Sequence, residues 1–371
     1  MNEVAIALST ILEKVERQEE LQRDDLSTLL SLNEKTDIEN LYQAAYAMKD
    51  RTVGTTVYFR GIIELSNVCE KDCYYCGIRK SNVHATRFQM TEEEIVHAAV
   101  WSYEQNYGSI VLQSGERRDP HFVDFIEGIL TTIRERCDGE LGITLSLGEQ
   151  SYDTYKRWFD AGAHRYLLRI ETSNPGLYKR LHPSDHSFEV RLECLDLLRK
   201  AGYQVGTGVM IGLPFQTIEQ LADDILFFKR HDIDMIGMGP YIVHEETPLA
   251  QYASGNDNGQ EQELSLELGL KMIAVTRLAL RDVNIAATTA LQALHAQGRE
   301  LGLQAGANII MPNVTDQKYR AAYQLYQNKP CIDENSSMCR ACLGHRISGI
   351  GETIGYGKWG DSPHFFARTQ L

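Results

Sequence analysis

The sequence predicts an α/β fold, a complete (β/α)8 barrel of the TIM type with a helical extension before it and a cysteine-containing extension after it. Two observations carry this. From about residue 53 onward, short apolar runs of strand length alternate with amphipathic stretches of helix length, eight times over. Such alternation implies a parallel sheet with helices outside it. The unusual polar residues also gather where the apolar runs end, at Cys69–Cys76, Gln113–Glu116, Thr144–Glu149, Arg169–Thr172 and Thr288-Thr289. In a barrel, function collects at the C-terminal ends of the strands. An open doubly wound sheet is the other arrangement that the same units allow.

Residues 1–50 read as the N-terminal helical extension. Leu8, Ile11, Leu12 and Val15 keep helical spacing, and Asp24-Asp25-Leu26 opens a second segment that runs to Leu32. The barrel is expected over 51–325. Its strands are Val57–Leu65, Ile110–Ser114, Ile143–Leu147, Tyr166–Ile170, Val205–Ile211, Met235–Tyr241, Asn284–Thr289 and Ala307–Met311. Between them, Thr91 with Glu94 forms a capping box at a helix start, and Gly202 ends the helix Phe188–Ala201. The stretch 253–262 reads as a surface loop, and residues 326–371 form the C-terminal extension.

Composition narrows the function. Hydrophobic residues make up 43% of the 371, enough for a sizeable core. A net charge of −14 argues against binding to a phosphate backbone, so no nucleic-acid partner is expected. No apolar run reaches the roughly 18 residues of a spanning helix, and Met1 begins no basic-then-apolar leader. A cytoplasmic protein without a membrane partner is expected. Of eight cysteines, six fall into two tight groups, Cys69, Cys73, Cys76 and Cys331, Cys339, Cys342. In a large protein of a reducing compartment, that grouping reads as metal binding rather than disulfides.

The first group, CX3CX2C, follows directly on the first strand. Three thiolates on one short loop suit an iron–sulfur cluster with one iron left open; zinc is the alternative, although structural zinc takes four ligands. Further along, Arg169 and Glu171 are two residues apart and share a strand face, as do Thr144 and Ser146. Such groups inside a barrel need partners, from each other or from a polar ligand. Arg191 lies on the apolar stripe of Phe188, Leu195 and Leu198, where it needs an anion: a ligand carboxylate or a neighbouring glutamate.

With Tyr75 before its last cysteine, the CX3CX2C motif resembles the signature of the radical S-adenosylmethionine (SAM) superfamily. The stretches ELSNVC (64–69), IVLQSGE (110–116), TLSLGE (144–149), RYLLRIETSNP (165–175), GMGP (237–240), ATTA (287–290) and NIIMPN (308–313) narrow the resemblance to the biotin synthase-like branch, and within it to the HydE family of [FeFe]-hydrogenase maturases. That resemblance implies a [4Fe–4S] cluster on Cys69, Cys73 and Cys76, with SAM on its open iron. It implies SAM contacts at Tyr75, Ser114, Gly115, Glu116, Ser146, Glu171, Arg191, Met210, Ile211 and Gly212. It implies a substrate cavity lined by Gln113, Thr144, Arg169, Met235, Thr288, Thr289, Met311 and Tyr323, where Arg169 and the threonines hold an anion. Cys331, Cys339 and Cys342 resemble a second, dispensable iron–sulfur site of the family, [2Fe–2S] or [4Fe–4S]; zinc would suit the same thiols.

The reaction implied is reductive SAM cleavage, with the 5′-deoxyadenosyl radical acting on a cysteine-bound iron carrying CO and cyanide. The implied partners are a reductant such as ferredoxin or flavodoxin and the other maturases, with the chain a monomer. A radical SAM mutase or transferase on a small organic molecule is one rival. Biotin synthase-type sulfur insertion is disfavoured, because no cysteine falls on a predicted strand. A non-catalytic metal scaffold is the rival of another class.

Overall fold

The computed structural model describes residues 3–252, 259–332 and 336–369. Eleven short strands occur among them: β1 (Thr56–Ser66), β2 (Ser109–Ser114), β3 (Gly142–Ser146), β4 (Arg165–Leu167), β5 (Gln204–Thr207), β6 (Met210–Ile211), β7 (Met235–Ile236), β8 (Gly239–Pro240), β9 (Asn284–Ile285), β10 (Ile309–Ile310) and β11 (Thr353–Ile354). The main sheet is parallel and curled, in the order β10-β1-β2-β3-β4-β5-β7-β9. Its two end strands meet through the single parallel bridge Ala286↔Ile309, with the Ala287 N–H donating to Ile309 O and the Asn308 N–H to Ile285 O, each at 2.9 Å. Eight strand positions thus run around the circuit, joined at that point by a bridge and not a ladder.

The expected strands lie where the sequence placed them, but several are shorter. The fifth and sixth break in two, and their outer halves, β6 and β8, pair separately from the main sheet. Glycine is the reason: a Cβ on Gly208 would stand 2.0 Å from Gly237 O, an approach only bare backbone permits. The fourth strand ends at Leu167 and not Ile170, because a side chain takes over the ladder. Thr207 Oγ1 accepts from the Ile170 N–H at 3.0 Å and donates to Leu168 O at 2.8 Å. The seventh stops at Ile285; Thr288 is the N-cap position of the helix Thr289–Leu294.

The expected caps form. Thr91 and Glu94 make the capping box, and Gly202 closes its helix at φ +106°. The stretch expected as a loop ends sooner, since the helix Gly259–Leu280 already includes Gly259–Gln262; residues 253–258 lie outside the described residues. The N-terminal region is helical as expected and holds three helices, Glu3–Glu16, Arg23–Leu30 and Lys35–Thr52. The second and third pack against the outer helices Ile218–Arg230 and Gly259–Leu280, and the first packs on the second and third; Arg23 pairs with Asp223 at 2.7 Å. No described helix is long and apolar enough to cross a membrane.

One end of the circuit is closed by the chain's own C-terminal segment. Arg60 NH2 and Asn284 Nδ2 each donate to Gly360 O at 2.9 Å. Arg165, the first residue of β4, donates to Trp359 O at 3.0 Å and pairs with Asp361. The Ser362 N–H donates to Gln204, the first residue of β5, at 3.2 Å. These partners cluster at strand beginnings, so the other end, where the strands finish, is the one left for chemistry.

Candidate active site

The cysteine loop leaves β1 at that open end. Cys69, Cys73 and Cys76 are half-buried. Burial pushes all three thiols up: Cys73 to about 12, Cys76 well above the ordinary range, Cys69 less far. The Glu116 N–H stands 3.3 Å from Cys69 Sγ and donates to it. Gly115 is required here because a Cβ would lie 2.3 Å from Val68 O and 2.8 Å from Cys69 Cβ. Its bare backbone therefore lets β2 abut the cysteine loop. Among the described residues, no three or more His, Cys, Asp or Glu side chains are spaced to hold a single metal ion.

A charge network fastens the loop. Glu149, buried just past β3, is reached by Arg191 Nε at 2.6 Å, Lys71 Nζ at 2.7 Å and Arg118 NH2 at 2.7 Å. Burial alone would raise its carboxyl, but Arg191 and Lys71 outweigh that and bring it down to about 2. Lys71 belongs to the cysteine loop itself. Glu116 accepts from Arg118 at 2.7 Å and from the Glu149 N–H at 2.9 Å. Arg191 thus has the neighbouring glutamate as its counter-ion, and its NH1 also donates to Arg169 O at 3.0 Å.

Tyr75 turns its ring edge to His182, with the rings 5.4 Å apart and its hydroxyl 3.2 Å from Nε2. Burial holds the His182 imidazole down at about 3, in the neutral form. Tyr75 also packs on an apolar cluster of Leu177, Leu181, Met210, Leu213 and Leu249. This brings Tyr75 and Met210 together, as expected, with Ile211 and Gly212 following on the same segment.

Arg169 and Glu171 pair at 3.1 Å, the internal partnership their shared face suggested, although both lie past the end of β4. Glu171 sits at φ +66°, a left-handed backbone uncommon for a bulky residue. Its Oε2 is the oxygen that faces Arg169, and burial raises its carboxyl. Arg169 remains one-third exposed, and its Nε has no partner.

The expected substrate residues divide. Gln113 Nε2 donates to the Tyr323 hydroxyl at 3.2 Å. Thr144, Met235 and Met311 line a deeper cavity of about 10 Å³, room for one water, with Arg60 and Asn284. Thr144 Oγ1 accepts from Arg165 Nε at 2.9 Å. Thr289 Oγ1 accepts from Arg299 NH2 at 3.0 Å, while Thr288 Oγ1 is buried and unpartnered. In the second cysteine group, Cys331 is half-buried, held at φ +65°, and Cys342 is exposed. The Cys339 side chain lies outside the described residues. Ser114 and Ser146 are half-buried where β2 and β3 finish.

Sequence reading missed Lys71, Arg118, His182, Arg60, Glu64 and Arg299. A signal existed for two of them: Arg60 and Glu64, four residues apart on a mostly apolar strand, share one face. Glu64 is buried and held by Lys329 and by Asn313 Nδ2 at 3.1 Å.

The chain resembles known proteins over most of its length. Residues 63–228 match the Radical SAM superfamily. The [FeFe] hydrogenase maturase subunit HydE of Thermotoga maritima is 45% identical over 357 residues, 96% of this chain and 98% of that one. The 3-methylornithine synthase of Methanosarcina barkeri is 29% identical over 302 residues, covering 80% and 81%. Among solved structures, methylornithine synthase superposes with a TM-score of 0.79 at 25% identity, covering 94% of this chain and 98% of that chain.

Proposed function

We propose that this chain, which belongs to the HydE family of the radical SAM superfamily, acts in [FeFe]-hydrogenase maturation as a radical SAM enzyme alongside the other maturases. The observation that carries the reading is the CX3CX2C loop at the functional end of a parallel β/α circuit, in a chain 45% identical to a HydE maturase over nearly its whole length.

The residues present suit a [4Fe–4S] cluster with SAM. A cube spreads its protein ligands over separate irons, so three thiols on one loop leave one iron open. The N–H donated to Cys69 Sγ favours the thiolate form. The buried Glu171 carboxylate, paired with Arg169 at 3.1 Å, is an acceptor suited to a ribose hydroxyl. When bound, the cluster and SAM supply reductive cleavage of the sulfonium and a 5′-deoxyadenosyl radical.

The chain's own residues do the rest. Cys69, Cys73 and Cys76 hold the cluster. Ser114, Gly115, Glu116 and Ser146 bound the SAM amino group, and Arg191, pre-oriented by Glu149, takes the carboxylate. Tyr75, Met210, Ile211 and Gly212 wall the adenine. The substrate reading is a cysteine-bound iron carrying CO and cyanide, an anionic complex. Arg169 and Thr288 offer it unused polar groups, Gln113 and Tyr323 form a wall, and Thr144, Met235 and Met311 close the floor below. Thr289 belongs with Thr288 at the rim. Cys331, Cys339 and Cys342 form a second iron–sulfur site outside turnover. A ferredoxin or flavodoxin supplies the electron to a monomer in the cytoplasm.

The test is anaerobic reconstitution with iron and sulfide, then SAM and dithionite, reading deoxyadenosine. Wild type should form it and Cys73→Ala should not; formation by Cys73→Ala at the wild-type rate would overturn the cluster assignment. Addition to an in vitro hydrogenase maturation mixture tests the pathway, with restored hydrogenase activity expected.

A further inference from the structure

Asp224 stands on the apolar stripe of the outer helix Ile218–Arg230, among Leu221, Ile225 and Phe228, and is fully buried. A carboxyl group there is costly unless it is bonded. Its bond runs towards the open end of the barrel: Oδ1 accepts from the Ser173 N–H at 2.6 Å. Burial pushes the carboxyl up to about 7, and the Ser173 hydroxyl and N–H oppose that rise. Ser173 lies two residues past Glu171, whose left-handed backbone at φ +66° persists only where surrounding structure holds it.

The holds on Glu171 come from both directions along the chain. Before and at it, the Ile170 N–H donates to Thr207 Oγ1, the Glu171 N–H to Gly208 O and the Met210 N–H to Glu171 O, each at 3.0 Å. After it, the Asn174 N–H donates to Thr172 Oγ1 at 3.2 Å, a bond internal to the turn. Asn174 then caps the helix Pro175–Leu181, which carries Leu177 and Leu181 to the apolar cluster against Tyr75. The tie from this turn to a different element is Asp224. We propose that Asp224 is a positioning residue for SAM: by fixing Ser173 it sets the direction of the chain after Glu171, and so holds the Glu171 carboxyl ready for a ribose hydroxyl. It acts through Glu171 and touches no part of the cofactor itself. This role rests on the radical SAM reading above and deepens it. What the turn needs is an acceptor oxygen, not a charge. An asparagine keeps that oxygen, whereas an alanine leaves the Ser173 N–H without one.

The experiment has two arms. The first is amide hydrogen exchange on the full chain without cluster or SAM. The Ser173 amide should exchange about ten-fold faster in Asp224→Ala than in wild type, while the helix Ile218–Arg230 exchanges alike in both. The second is the SAM dependence of deoxyadenosine formation after reconstitution. Asp224→Ala should raise the KM for SAM about ten-fold with kcat within about two-fold, the mark of lost binding rather than lost chemistry. Asp224→Asn, which keeps the acceptor, should return the KM to within about three-fold of wild type. A packing role alone would lower stability in both variants and leave the KM for SAM in place. An unchanged KM in Asp224→Ala would overturn the proposal, as would a KM raised equally in Asp224→Asn. Should the alanine variant not fold, the wild-type chain still decides: a Ser173 amide that exchanges like an unprotected loop amide also overturns it. The two readings fail separately. A wild-type chain that forms no deoxyadenosine sinks the radical SAM reading, whereas an active wild type with an indifferent Asp224→Ala sinks the positioning role alone.

Discussion

Replacing Glu149 by Gln removes the anion from the network that fastens the cysteine loop. Three cations reach that carboxylate within 2.7 Å, and its side chain is 3% exposed. Its carboxyl is held at about 2 against an ordinary 4.5. That difference of about 2.5 pH units, at about 1.4 kcal/mol each, is about 3.5 kcal/mol. The figure agrees with the roughly 3–5 kcal/mol lost when one member of a buried pair is removed. An unfolding entropy of about 2.1 cal/mol/K per residue gives about 0.8 kcal/mol/K for this chain. Tm should therefore fall by about 4 °C, measured by circular dichroism at neutral pH. The sign with pH follows from the lowered carboxyl. Its stabilisation is complete above pH 4.5 and fades as pH falls towards 2. The gap between wild type and Glu149→Gln should stay constant from pH 8 to about 5 and narrow below that. Because Lys71 is one of the three cations, the variant should also retain less iron after reconstitution. A Tm within about 1 °C of wild type, or a gap that widens in acid, would refute the reasoning.

Gly77→Ala should lower stability by about 1–3 kcal/mol, since the new methyl would lie 2.2 Å from Gln324 O and 2.4 Å from the His244 ring; urea unfolding measures it, and an unchanged midpoint would contradict the packing described. His364 lies between Asp282 at 3.1 Å and Asp232 at 2.7 Å, bonds that raise its imidazole to about 9 from 6.5. Its contribution is present below pH 6.5 and lost as pH rises through about 9. With the side chain 28% exposed, about 1 kcal/mol is expected. His364→Gln should therefore flatten the decline in Tm between pH 6.5 and 9.5, and an identical decline in both proteins would count against the pairing. Cys339→Ala should leave deoxyadenosine formation near wild type; a dead variant with an intact first cluster would remove the second group from its peripheral role.

The sequence by itself determined the repeating unit and the place of the chemistry. Apolar runs of strand length, helix caps at Thr91 and Gly202, and three thiols spaced along one loop are local properties, and neighbouring residues settle them. The structure decided whatever depends on residues far apart in the chain. Arg191 needed an anion on any reading, but only the curvature of the sheet brings Glu149, 42 positions away, to within 2.6 Å. Strands five and six looked continuous because their apolar content continues. They break because Gly208 and Gly237 touch backbone to backbone, a contact no periodicity encodes. The C-terminal segment carries no strong pattern, yet Gly360 and Asp361 satisfy Arg60, Arg165 and Asn284 at the closed end of the circuit. Hydrogen bonds and charge pairs inside a barrel join residues from different strands, so their partners are fixed by the order and stagger of the sheet and not by spacing along the chain.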